Sequence, residues 1–162
     1  MRLISLWEPW ATLMALGAKR VETRSWSTSY PGWLAIHASK GGLSKRDLAD
    51  YLAKPEFAWA LQGATLSPGR IVAVVKLVDC CPTVDAIPNP AYPSVFRKYP
   101  HLDTRQERAF GDYHAGRWAW VTDRVLGLTE PIPFKAKQGL CMVPEDVVQV
   151  LAGALKLSLS EL

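Results

Sequence analysis

One stretch limits the fold more than any other: the nine residues from Arg70 to Val78. Isoleucine, valine, alanine and leucine fill it, and only Lys76 interrupts the apolar run. A half-buried strand alternates apolar with polar residues; a continuous β-branched run of this length reads as a central strand covered on both faces. The fold therefore needs further strands beside it and packing layers above and below it. The candidates are Leu3–Leu6, Lys19–Trp26, Trp33–Ala38, Gly116–Leu126, Thr129–Phe134 and Gly139–Val143. Pro131 and Pro133 make Thr129–Phe134 an edge strand, because proline cannot donate to a ladder.

Helices are predicted between these strands. Pro9 suits the first position of a helix over Trp10–Leu16, and Gly17 ends it. Ser44 with Asp47 three residues later approximates a capping box, and Leu43 with Leu48 a hydrophobic staple. Leu48, Tyr51 and Leu52 continue that helix as an apolar stripe until Pro55. Phe57–Leu61 reads as a further short helix. Pro144, Glu145 and Asp146 open a terminal helix whose apolar face is Val147, Val150, Leu151 and Leu155. Residues 82–100 hold five of the twelve prolines and read as an irregular surface loop. The strands lack regular crossover helices between them, so a doubly wound sheet fits poorly. The expectation is an α+β fold: a small β-barrel of about six strands with flanking helices, closed so that no edge is exposed.

With 162 residues and roughly 100–200 residues per domain, residues 1–162 are expected to form one domain. An apolar content of 49% and a charged content of 21% exclude disorder as the dominant state. No run of 18 or more apolar residues exists, so no membrane span is expected. Cys80, Cys81 and Cys141 are odd in number, with two of them adjacent, which makes a poor disulfide framework. No CxxC or His-rich spacing suggests a metal, and His37, His101 and His114 are scattered. The N-terminus breaks at Glu8 and Pro9 and lacks the apolar core of a signal peptide. A reduced, cytoplasmic protein without metal or cofactor is the expectation. P-loop, GxSxG, HExxH and GxGxxG patterns are all missing.

The net charge of +4 is unevenly spread: residues 1–46 carry seven Lys or Arg against Glu8 and Glu22, and the remainder is nearly neutral. Such a basic third is either a surface that attracts anions, nucleic acid first among them, or a solvated charged face. Its densest part is Gly17-Ala18-Lys19-Arg20-Val21-Glu22-Thr23-Arg24. A straight strand would put Lys19 on the face opposite Glu22 and Arg24. The three converge only if the backbone bends just after Gly17, which glycine permits. Trp7, Trp10 and Trp26 bracket this segment; aromatics beside cations suit base stacking, although tryptophans also serve as core. Lys40-Gly41-Gly42 and Lys135-Ala136-Lys137-Gln138-Gly139 are two basic turns. A barrel that brought them together would place Lys40 and Lys137 against phosphate.

The segments Leu6-Trp7-Glu8-Pro9-Trp10-Ala11-Thr12-Leu13 and Gly17 through Trp26 resemble the ASCH domain (activating signal cointegrator homology domain). The family's GxKxxExR motif stands complete as Gly17, Lys19, Glu22 and Arg24. Gly32–Ala38 also matches, and Phe110–Tyr113, Gly116–Trp120, Pro133–Lys135 and Gln138–Leu140 are similar to prokaryotic and phage members. The resemblance implies a PUA-like β-barrel with a motif-lined cleft that binds RNA or another nucleic acid. Lys19, Glu22 and Arg24 would contact it, with Trp7, Trp10, Trp26, Lys40 and Lys137 beside them. It also implies an alternative, a hydrolase with Lys19 and Glu22 as catalytic groups: a metal-independent ribonuclease, or an amidohydrolase of acetylcytidine nucleosides. That last branch uses a Lys, a Thr and a Glu. Lys19 matches the first, Glu22 stands where the Thr belongs with Thr23 one residue out of register, and Arg70–Asp79 supplies no Glu.

Overall fold

The computed structural model describes residues 1–84 and 92–162. Six strands form one sheet: β1 (Arg2–Leu6), β2 (Val21–Arg24), β3 (Gly32–Ala38), β4 (Arg70–Pro82), β5 (Trp118–Pro133) and β6 (Leu140–Met142). Their order is β2-β5-β4-β3-β1-β6, with β1 and β3 parallel and every other pair antiparallel. The expected α+β class and strand number hold, as a mixed half-barrel with flanking helices. The expected closure does not. The sheet ends on β2 and β6, which have four and three residues, and such short strands leave little edge to protect.

The Arg70–Val78 run occupies the middle of β4, and both of its faces are buried as expected. Val72, Ala73, Val75 and Leu77 join Ile4, Ile36 and Trp120 in a core beneath helix α1 (Trp10–Ala15). Ile71 and Val74 join Leu3, Trp33 and Leu151 beneath helix α6 (Glu145–Leu155) on the opposite face. Register shifts at 71/73, 75/77 and 77/79 explain why the two sets do not alternate strictly. In α6 it is Val148, with Leu151 and Ala152, that is buried, whereas Val150 is exposed, correcting the expected face.

Three further expectations need correction. Thr129–Phe134 is not a separate strand, because β5 runs unbroken from Trp118 to Pro133. Gly127, between the two predicted segments, is a close-approach site: a Cβ there would lie 2.7 Å from the Ala15 carbonyl oxygen at the end of α1. The proline-rich stretch is not wholly irregular, since Ser94–Lys98 form helix α4 and Pro100–Leu102 a 3₁₀ turn. Its residues 85–91 lie outside the described residues. Pro9 is the cap of α1 rather than its first residue.

Helices α2 (Lys45–Leu52) and α3 (Pro55–Ala60) follow the expected signals, with the Ser44 side chain accepting from the Asp47 N–H. No residue of α2 is fully buried; its Tyr51 ring meets Trp10 edge-on at 4.9 Å. Helix α5 (Arg105–Phe110) was not anticipated. Together with α1 and α3 it buries Leu13, Phe57, Leu61 and Phe110 in a small core of their own. Among the described residues, no helix is long and apolar enough to cross a membrane.

Candidate functional site

The site begins at the turn between α1 and β2. Gly17 adopts φ +72°, a left-handed conformation that reverses the chain directly after the helix. Only Val21–Arg24 of the predicted Lys19–Trp26 strand joins the sheet, against Trp118–Val121 of β5. The Glu107 carboxylate of α5 governs the approach. It accepts the backbone N–H groups of Arg20 at 2.7 Å and Val21 at 3.1 Å, and the Tyr113 hydroxyl at 3.1 Å. Burial and this carboxylate push the Tyr113 phenol far above its usual range, so it stays a donor.

The bend brings the three motif charges together. The Glu22 carboxylate lies 3.4 Å from Lys19 Nζ through one oxygen and 3.1 Å from Arg24 Nε through the other. Lys19 is only 1% exposed; its ammonium also donates to the carbonyls of Val21 and, at 3.3 Å, Phe110. It therefore stands behind the site as a structural cation and does not line it. Arg24 Nη2 donates to the Ser5 carbonyl at 2.8 Å, which pins the guanidinium to β1.

In front of this group opens a cleft of about 320 Å³ lined by Trp7, Trp10, Trp26, Glu22, Arg24 and Arg117, among others. Trp7 is 53% exposed and Trp26 37% exposed. Trp26 is held edge-on by Trp120 with ring centroids 4.7 Å apart. Trp10 has one side in the cleft and the other against Tyr51 and Phe57. All three tryptophans singled out from the sequence thus meet Glu22 and Arg24 in one concavity. An adjoining hollow of about 240 Å³ shares Trp10, Glu22, Thr23 and Arg117 and extends toward Gly111 and Asp112.

Lys40 and Lys137 lie elsewhere. They line a second cavity of about 670 Å³, together with Lys135, His37, Phe134 and Ser5. The turn after β3 and the turn before β6 line this one cavity, which meets the condition the sequence left open. Ser5 lines both this cavity and the tryptophan cleft. Among the described residues, no group of His, Cys, Asp and Glu side chains could hold a metal.

The sequence pattern of the ASCH domain matches residues 4–116, a span that contains every cleft residue named above except Arg117. The chain belongs to the ASCH domain family. It is 32% identical over 83 residues to Activating signal cointegrator 1 from Homo sapiens and from Mus musculus. That match takes in 48% of this chain but only 14% of each relative's length. Among solved structures it is similar to the ASCH protein of Zymomonas mobilis, with a TM-score of 0.55 and 16% identity over 94% of this chain and 93% of that one. A point variant of the same protein gives the same TM-score over 94% and 96%. At that identity the likeness is one of fold.

Three residues that organise the site of this ASCH chain escaped the sequence reading. Glu107 carries the one signal that was available: Thr104 stands three residues before it, and its side chain accepts the Glu107 N–H as a helix cap. Glu8 enters the sequence reading as a charge and as part of the Leu6–Leu13 match, yet it is buried. Its carboxylate accepts from the Thr12 N–H and hydroxyl and, across the chain, from the Ser67 N–H. Arg117 donates to the Thr23 carbonyl at 2.9 Å and pairs with Asp112 at 3.3 Å. Nothing local marks it, because its role arises from the β2–β5 pairing.

Proposed function

We propose that the tryptophan cleft binds an unpaired base of a single-stranded nucleic acid, with RNA as the strand. The observation that supports this reading is the shared cleft itself. Three tryptophans form walls beside a carboxylate and a guanidinium whose positions are already fixed by Lys19 and Ser5. Aromatic faces stack on any base, at about 1–3 kcal/mol per base. A fixed carboxylate accepts from a base amino or imino group, and a guanidinium donates to a base carbonyl or ring nitrogen. Because these groups are pre-organised, little ordering cost falls on binding. Among the described residues, Glu22 is the one Asp or Glu lining this cleft, and both of its oxygens are engaged by cations. Thr23 Oγ1 accepts from the Asp112 N–H at 3.2 Å. These groups support recognition, whereas the hydrolase alternative finds no comparable support.

The test is titration with mixed-sequence single-stranded RNA at low salt, read by tryptophan fluorescence. Binding is expected to quench fluorescence and to weaken with salt. Trp26→Ala or Arg24→Ala should lower affinity about tenfold or more. No quenching at low salt, or unchanged affinity in both variants, overturns the reading.

A further inference from the structure

The two cavities share one lining residue, and that residue has its own chemistry. Ser5 is the shared wall residue. The turn after β3 links them a second time. Its Lys40 lines the large cavity, while a Cβ on its Gly42 would come within 3.3–3.6 Å of Trp7 side-chain atoms in the other. The Lys40 stem is itself seated: a Cβ at Gly69, which has φ +79°, would lie 2.5 Å from Lys40 Cε. Among the described residues, the large cavity presents Lys40, Lys135 and Lys137 without a lining carboxylate. None of the three is in an ion pair among the described residues. Three unneutralised cations around one hollow concentrate positive potential there, a setting for a phosphodiester.

The state of the Ser5 hydroxyl follows from its neighbour. His37 Nε2 lies 3.0 Å from the Phe134 carbonyl oxygen, which can only accept, so Nε2 carries the proton. In a neutral ring Nδ1 is then an acceptor, and Ser5 Oγ, 2.9 Å away, donates to it. Burial, outweighing the hydrogen bond to Phe134, holds the His37 imidazole below its ordinary range and so favours that neutral ring. The Ser5 proton is thereby committed, and its oxygen offers only lone pairs to a ligand.

We infer that a nucleic-acid strand with one base in the tryptophan cleft crosses Ser5 into the lysine cavity, resting its phosphodiester on the lysines and donating a ribose 2′-hydroxyl to Ser5 Oγ. This rests on the cleft binding a base. It deepens that reading by naming what the lysine cavity and Ser5 would recognise: an internal phosphodiester and a ribose 2′-hydroxyl, which a free nucleoside and a deoxy strand respectively lack. Ribose recognition through the 2′-hydroxyl is the general means by which a protein tells RNA from DNA.

The test compares four probes on the full chain by tryptophan fluorescence: mixed nucleosides, and mixed-sequence trinucleotides with ribose, deoxyribose or 2′-fluoro sugars. The ribose strand should bind about three- to tenfold more tightly than the deoxy and fluoro strands, the effect of one neutral hydrogen bond. Ser5→Ala should erase that preference for ribose over deoxyribose. A Lys40→Ala/Lys137→Ala double variant keeps Ser5 and should flatten the log–log salt slope by about 0.7 per lost phosphate contact, without altering nucleoside quenching. Equal affinity for ribose and deoxy strands in the wild type, or an unchanged salt slope in the lysine variant, overturns this inference. Nucleoside quenching with no gain from a strand overturns it while leaving the cleft reading intact. No quenching by any probe, with native circular dichroism, overturns both.

Discussion

The tryptophan cleft and the lysine cavity share a wall but hold their charges differently. In the cleft, Glu22 is gripped by Lys19 and Arg24, Arg24 is tied to β1, and Arg117 pairs with Asp112. The lysine cavity has three cations on two turns and, among the described residues, no lining carboxylate. The first arrangement is part of the fold, so changing it should cost stability before it costs binding. The second is a field laid over a finished fold, so changing it should leave stability alone and move only salt dependence.

The largest effect is expected at Lys19. Replacing it with Met removes the ammonium, leaves Glu22 with Arg24 as its remaining ionic partner, and leaves the carbonyls of Val21 and Phe110 without the Lys19 donor. Breaking a buried pair in this way costs about 3–5 kcal/mol. Urea unfolding of Lys19→Met measures it. A loss below about 1 kcal/mol would show that the cleft's charges are not built into the fold, and the contrast between the cavities would fail.

Next comes the seat of α1, which carries Trp10. Gly127→Ala puts a Cβ 2.7 Å from the Ala15 carbonyl oxygen, and backbone atoms on both sides must shift. A cost of about 1–3 kcal/mol is expected from such overpacking. Reduced stacking affinity should accompany it, since α1 forms one wall of the cleft. Thermal unfolding together with nucleoside quenching tests both halves of the statement.

How far these contrasts could be read from the sequence depended on distance along the chain. The buried β4 run, the Gly17 turn and the Ser44 cap are local, and each stood where its residues pointed. The convergence of Lys19, Glu22 and Arg24 was legible only as a condition on the bend after Gly17. What enforces that bend is Glu107, more than eighty residues away, and no periodicity encodes a carboxylate that reaches two backbone N–H groups on another element. The single long β5 was not legible either, because the close approach of Gly127 to the end of α1 depends on a helix over a hundred residues away. The two basic turns of Lys40 and Lys137 were legible in the sequence, but that they line one cavity and the tryptophans another depends on the sheet that brings distant segments together.

At the shared wall, His37 gives a pH signature smaller than either substitution. Burial is the main cause of its lowered pKa, partly offset by the hydrogen bond to the Phe134 carbonyl. An unfolded chain takes up the proton near 6.5, whereas the folded chain resists it until a lower pH. The unfolded state therefore binds more protons in that interval. Stability from this group is fully present above about 6.5 and declines as pH falls below it toward the folded value. Urea midpoints across this range should fall with acidification in the wild type and less steeply in His37→Gln. Equal slopes would place the acid sensitivity elsewhere.

The smallest effect is the most discriminating, because it carries the opposite sign. Lys135 faces Lys40 and Lys137 across one cavity with no acid between them, so the folded state bears a like-charge repulsion that the unfolded chain relaxes. Surface substitutions of this kind lie within about 0.5 kcal/mol of zero. Here the expected direction is a slight stabilisation of Lys135→Ala at low salt, vanishing near 1 M salt, where the Debye length is about 3 Å. The matched measurement in the cleft is Arg24→Ala, which removes an attractive partner of Glu22 and should destabilise at both salt concentrations. If the two variants shift stability in the same direction at low salt, the cavities do not differ as their charge pairing implies. Opposite signs, with only the lysine effect lost in salt, would fix the division between a cleft built into the fold and a cationic cavity beside it.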